Sequence, residues 1–196
     1  MGEAERRRAK LDKWIDGLSG QEKTIYNVCK TAFEEIIVGM RLEEGCYLMS
    51  AFLTSYLKAR HGITVVPVVG YVNDGTDEVM ISHAWIEYRG KKCDLTLVNA
   101  PPQPKGPLLI LDEKIRSGSI EYSYRLKKGE AAMQAEAEMI AHDNRVAGIV
   151  RHKEAEHAAM LKMVRTPESI KAYLDAAPDG LDYQTLSAIV DASLTM

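Results

Sequence analysis

The chain has 196 residues, 46% of them hydrophobic and 27% charged, which is enough to bury a real core and too apolar for a disordered chain. A formal charge of -3 and a pI near 6.0 give no support to nucleic-acid binding, and no apolar run is long enough to span a bilayer. Three cysteines without a CxxC pair argue against a disulfide framework and a cysteine-built zinc site, so a cytoplasmic protein with reduced thiols is expected.

The N-terminus lacks the charged-then-apolar order of a secretory signal. Arg6 stands where a myristoylation motif wants Ser or Thr. The run Arg6-Arg7-Arg8 is interleaved with Glu3, Glu5 and Asp12 and reads as a solvated helix face. Residues 4–17 have helical spacing, with Leu11, Trp14, Ile15 and Leu18 on one side. Ser19, with Glu22 three residues on, is a capping box that opens a second helix. Its stripe contains Ile25, Val28, Cys29, Ala32, Phe33, Ile36 and Ile37, which makes Cys29 a core residue, and Gly39 is expected to end it.

From Cys46 to Arg60 a third helix carries Leu48, Met49, Phe52, Leu53, Tyr56 and Leu57, apolar on more than one side and therefore central. His61-Gly62 supplies its stop. The period then changes to β: Ile63 to Val72, with Pro67 placing the strand near an edge or bulge, then Val79 to Tyr88 and Lys92 to Val98. Residues 99–106 are proline-rich and expected to be irregular. Leu108 to Leu111 and Ser119 to Leu126 are candidate strands. After Gly129 the chain turns alanine- and glutamate-rich, with Gly148 as the expected break before Val164. Short helices follow from Pro167 and from Asp182. The expected fold class is α+β: residues 1–128 form a helix-on-antiparallel-sheet core with N-terminal helices, and 129–196 form a helical C-terminal extension.

The chemistry concentrates between Gly45 and Thr96. A cysteine at a helix N-terminus meets partial positive charge and free N–H groups, which favour the reactive thiolate and can hold an oxyanion. Gly45 is expected to turn the backbone tightly and leave room for a substrate. His83 shares a strand face with Trp85 and Glu87. Asp94, unfavourable inside a strand, needs a partner. A hairpin turn at Gly90-Lys91 pairs Glu87 with Asp94 and leaves His83 about 13 Å away along the strand. A turn centred on Tyr88-Arg89 sets His83 opposite Asp94, so joining the two is expected to need that turn or a bulge. Cys93 points to the opposite face as a buried thiol. His142, His152 and His157 lack metal-ligand spacing and read as solvated helix residues.

These residues, in this order, resemble the transglutaminase-like superfamily: Gly45-Cys46, Lys58-Ala59-Arg60-His61-Gly62-Ile63, Val69-Gly70-Tyr71-Val72, His83-Ala84-Trp85-Ile86-Glu87 and Asp94-Leu95-Thr96. That superfamily includes transglutaminases, peptide N-glycanases and many bacterial proteins assigned as cysteine proteases. The resemblance covers residues 42–98. The family often has tryptophan after the cysteine and proline after the aspartate, where this chain has Tyr47 and Leu95. The resemblance implies a papain-like α+β core with Cys46 as nucleophile, His83 as general base and acid, and Asp94 orienting the imidazole.

The expected function is thiol-dependent acyl transfer, foremost a cysteine peptidase or amidase that cleaves a peptide or protein amide through a Cys46 thioester. An amine in place of water as second nucleophile makes it a transglutaminase or acyltransferase. The alternative is a non-catalytic binding or scaffold protein that keeps the fold. The helical C-terminal region is a candidate surface for a protein partner or self-association. No cofactor or metal is expected, and calcium is not indicated because no EF-hand-like acidic loop is present. Neither nucleic acid nor a membrane is an expected partner.

Overall fold

Ser19 caps its helix as the sequence dictates. In the computed structural model, which describes residues 2–99, 105–178 and 180–195, α1 (Glu3–Asp16) is followed by α2 (Gly20–Ala32). The Ser19 hydroxyl accepts the Glu22 N–H at 3.3 Å, and the Glu22 carboxylate accepts the Ser19 N–H at 3.0 Å. The helix then widens into a π-helical turn, Phe33–Val38, in which Gly39 N–H reaches the Glu34 carbonyl at 3.0 Å. The wider turn lets Phe33, Ile36 and Ile37 all point into the core.

The next helix, α3 (Cys46–His61), is buried on most of its circumference, from Tyr47 to Leu57. It ends at Gly62 in the left-handed region, φ +66°. Gly62 N–H bonds to the Lys58 carbonyl and Ile63 N–H to the Leu57 carbonyl, at 3.1 and 3.0 Å. Gly45, just before α3, has φ -85°, so no left-handed turn requires it. A Cβ there would lie 2.5 Å from a Leu42 methyl. The space expected for substrate is thus filled by Leu42, and packing is what demands the glycine.

Three sequential strands follow: β1 (Val66–Asn73), β2 (Ile81–Tyr88) and β3 (Lys91–Cys93). A separate antiparallel ribbon contains β4 (Leu108–Ile110) and β5 (Glu113–Arg116). The returning strand β6 (Ser123–Arg125) completes an antiparallel sheet of order β3-β2-β1-β6. The fold is mixed α+β. Strand β2 starts later than expected because the Asn73 amide holds the Val79 and Asp77 carbonyls, each at 2.8 Å, in a turn. Strand β3 stops early because Asp94 exchanges both backbone bonds with Leu109, at 2.9 and 3.0 Å. β6 covers only Tyr71 to Asn73, so Pro67 lies where β1 has one free edge. Strand β5 has no counterpart in the sequence expectation. It follows a turn at Leu111-Asp112, both in the left-handed region. Residues 100–104 of the proline-rich stretch lie outside the described residues.

The remaining helices are α4 (Glu130–His142), α5 (Asn144–Met163), α6 (Pro167–Asp175) and α7 (Tyr183–Leu194). The break in the alanine-rich stretch comes at Asp143, not at Gly148. Asp143 is extended, and its carboxylate caps α5 by accepting the Arg145 N–H at 2.9 Å. Gly148 sits inside α5. The C-terminal helices share the core of the first 128 residues, since Ile170, Leu174, Leu186 and Val190 are buried in one cluster with Ile25, Phe52 and Tyr56. The Asp191 carboxylate accepts the Tyr56 hydroxyl at 2.5 Å and Arg60 at 2.7 Å. Among the described residues, no helix is long and apolar enough to cross a membrane.

Candidate active site

Cys46 is the first residue of α3. The first bond of the helix runs from Met49 N–H to the Gly45 carbonyl at 2.9 Å, and no side chain caps the preceding N–H groups. Those groups and the helix dipole face an anion at the Cys46 end. Helix α3 is tied across to β2 by the Ser50 hydroxyl, which donates to the Trp85 carbonyl at 3.0 Å. This crossing brings Cys46 and His83 to the same cleft.

His83 and Asp94 meet by a route that neither expected turn allowed. The β2–β3 hairpin turns at Arg89-Gly90, φ 50° and 78°, and pairs Tyr88 with Lys91, Glu87 with Lys92 and Ile86 with Cys93. Continued by one residue, that register sets Asp94 opposite Trp85 and makes it the diagonal same-face neighbour of His83. A diagonal gap of about 7–8 Å is within the span of two such side chains. His83 Nε2 lies 2.7 Å from Asp94 Oδ2, with both side chains buried. Neither the tighter turn nor a bulge is needed.

Asp94 has further donors. Oδ1 accepts the Thr96 N–H at 3.1 Å and the Thr96 hydroxyl at 3.2 Å, and Oδ2 accepts the Tyr124 hydroxyl at 2.8 Å. Burial alone would push this carboxyl up. His83 overrides it, helped by Thr96 and Tyr124, and the pKa falls below the usual aspartate value. Burial likewise pushes His83 down, but the Asp94 charge, then Cys46, raise it to about 10. Both shifts favour the imidazolium–carboxylate form of the pair. Asp94 occupies Nε2, which leaves Nδ1 as the ring nitrogen available to Cys46. Trp85 stacks near His83, ring centroids 6.4 Å apart, and meets Tyr124 edge-on at 5.0 Å. Gly70 makes room for that indole, for a Cβ there would lie 2.8 Å from it.

A second polar chain begins at the neighbours of Cys46 and His83, Tyr47 and Ser82. The Tyr47 hydroxyl lies 2.5 Å from Ser82 Oγ, which lies 2.5 Å from His157 Nδ1 on α5. His157 is 5% exposed and stacks on Tyr71, centroids 4.4 Å apart. The expectation of a solvated His157 is therefore wrong: the residue lies on the one face of α5 that meets the sheet. Burial lowers its pKa, which favours the neutral ring. His142 and His152 are exposed, as expected.

The other two thiols, Cys29 and Cys93, are free and buried. They lie against each other, and the Cys93 thiol, with burial, pushes Cys29 well up. Leu111 N–H donates to Cys93 Sγ at 3.2 Å. Cys46 is the one partly exposed thiol. It opens, with His83, onto a cleft of about 350 Å³ between the sheet and the α4–α5 hairpin. Among the described residues, no group of three or more His, Cys, Asp and Glu side chains is arranged to hold a metal ion.

Thr96, Tyr124 and the Tyr47–Ser82–His157 chain escaped sequence reasoning. The one usable signal was the alternation of Tyr122 and Tyr124 with polar residues. No family model, curated protein or solved structure matches this chain.

Proposed function

We propose that the protein is a thiol-dependent acyl-transfer enzyme with a papain/transglutaminase-like core, and that Cys46, His83 and Asp94 are its catalytic residues. The observation that carries this is the conjunction at one cleft of a partly exposed cysteine opening a helix and a histidine bonded to a buried aspartate at 2.7 Å. The Cys46 thiolate attacks an amide carbonyl, and the oxyanion so formed faces the open N–H groups of α3. Collapse breaks the carbon–nitrogen bond, and the His83 imidazolium gives its proton to the leaving amine. A thioester on Cys46 remains. His83, now neutral, takes a proton from water as it attacks; collapse releases the acid and the Cys46 thiolate, which restores the starting thiolate–imidazolium pair. Asp94 orients the ring and stabilises its charged form. The favoured activity is that of a cysteine peptidase or amidase on a peptide or protein amide; an amine entering in place of water makes it an amide-exchanging transferase.

The test is alkylation by iodoacetamide at pH 6, read by mass spectrometry. Cys46 is expected to react at least about tenfold faster than free cysteine, a thiol with pKa about 8.5 that is almost wholly protonated there. Cys46→Ala should abolish labelling, and His83→Ala should remove the advantage. A Cys46 that reacts no faster than free cysteine contradicts the proposal and favours a binding protein that keeps the fold.

A further inference from the structure

The cleft beside Cys46 has two kinds of wall, and only one of them is without partners. Its charged groups neutralise one another. Lys128 is held by Glu136 and by Glu154, the latter at 2.6 Å, and Lys153 lies 3.2 Å from Glu156. Of the four glutamates on the lining, only Glu44 has no such partner among the described residues, and it is exposed. Lys128 also sits over the Tyr71 ring at 5.3 Å. These contacts, with His157 bonded to Ser82, fix the α4–α5 hairpin on the sheet instead of offering charge to a ligand.

The unsatisfied surface is hydrocarbon. Val72, Met80, Ile81 and Leu97 line the cleft from the sheet side, and Met139 and Ile149 line it from α4 and α5. Met139 is 42% exposed and Ile149 is 62% exposed, large for apolar side chains, and both stand over the space into which Cys46 and His83 open. Exposed apolar groups gathered around a concavity mark a binding surface. A volume of about 350 Å³ is at the small end of ligand sites. It suits one large side chain and the backbone on either side of it.

We infer that this cleft is a subsite for an uncharged, leucine-, methionine- or phenylalanine-sized side chain next to the amide, with α4–α5 as half of its wall. The inference rests on the reading of Cys46 as the nucleophile. The C-terminal helices on this account belong to the substrate site.

The test uses peptidyl chloromethyl ketones that differ only in the side chain beside the ketone: leucine, methionine, glycine, aspartate or lysine. The Cys46 sulfur displaces chloride, and each rate is divided by that of the same probe with free cysteine. The leucine and methionine probes should label Cys46 at least about tenfold faster than the other three, the scale on which an apolar pocket discriminates. Ile149→Asp or Met139→Asp should erase that preference. Met133→Asp, which changes an exposed methionine of α4 that does not line the cleft, should keep it. Equal rates, or faster labelling by the charged probes, overturn the apolar subsite and leave the nucleophile standing. A leucine preference unchanged in both cleft variants overturns the role of α4–α5. Failure of every probe to label Cys46 overturns the subsite and the proposed function together.

Discussion

Two polar groupings draw on adjacent residues of α3 and of β2, and they put histidine to opposite uses. In one, His83 shares a cleft with Cys46 and is bonded to Asp94, which favours the charged imidazole. In the other, Tyr47, Ser82 and His157 form a line in which burial favours the neutral imidazole. Both rings are 5% exposed, so burial does not separate them. The carboxylate does: Asp94 is itself buried and carries three donors besides His83, whereas His157 has only hydroxyl company on its Nδ1 side. A buried ring becomes an ion where a buried counter-charge outweighs desolvation, and otherwise stays a hydrogen-bonding strut.

Breaking the first chain should cost most. Asp94→Ala removes the counter-charge, so His83 turns neutral and the ring, Thr96 and Tyr124 all lose their buried acceptor; the fold should be destabilised by about 3–5 kcal/mol, read by urea denaturation. Asp94→Asn keeps the shape, and should lower Cys46 alkylation far more than it lowers stability. If Asp94→Ala unfolds no more easily than the parent chain, the ion pair is not what holds His83.

Cutting the second chain should cost less. His157→Ala leaves the Ser82 hydroxyl short of its partner and should remove about 1–3 kcal/mol, while iodoacetamide labelling of Cys46 falls less than labelling in Asp94→Asn. A larger loss of labelling in His157→Ala than in Asp94→Asn would dissolve the distinction between the chains.

The two histidines also predict opposite limbs of a stability–pH curve. His83 is raised to about 10 in the fold. Its contribution is complete below the unfolded value of about 6.5 and is lost as pH rises towards the folded one. His157 is lowered in the fold, so its contribution is present above about 6.5 and is lost as pH falls below that. Urea midpoints measured across pH should lose the alkaline limb in His83→Gln and the limb just below neutrality in His157→Gln. The smallest effect belongs far from both chains. Lys30→Gln, which breaks an exposed i,i+4 pair with Glu34, should move stability by less than about 0.5 kcal/mol.

The residues of the first chain were legible in the sequence, and the second chain was not, for identifiable reasons. The start of α3 at Cys46, its stop at Gly62 and the capping box at Ser19 are local signals that survived, whereas Gly148 did not break its helix. The meeting of His83 and Asp94 depended on a hairpin register, where one residue of slippage decides everything. The turn at Arg89-Gly90 requires an arginine in the left-handed region, which the sequence did not announce. His157 looked solvated because its helix is rich in charge, yet one face of α5 lies on the sheet. No local pattern separates that face from the others. Gly45 was read as space for a substrate, and only the fold places Leu42 there.

The central claim is that Cys46 carries an acyl group. Mixing the protein with an activated ester of an N-acetylated leucine, quenching within the first turnover and measuring intact mass tests it most directly. The predicted result is an acyl adduct on Cys46, released by hydroxylamine, absent in Cys46→Ala and slow to form in His83→Ala. An adduct on another residue, or one that forms equally fast without His83, would contradict the account.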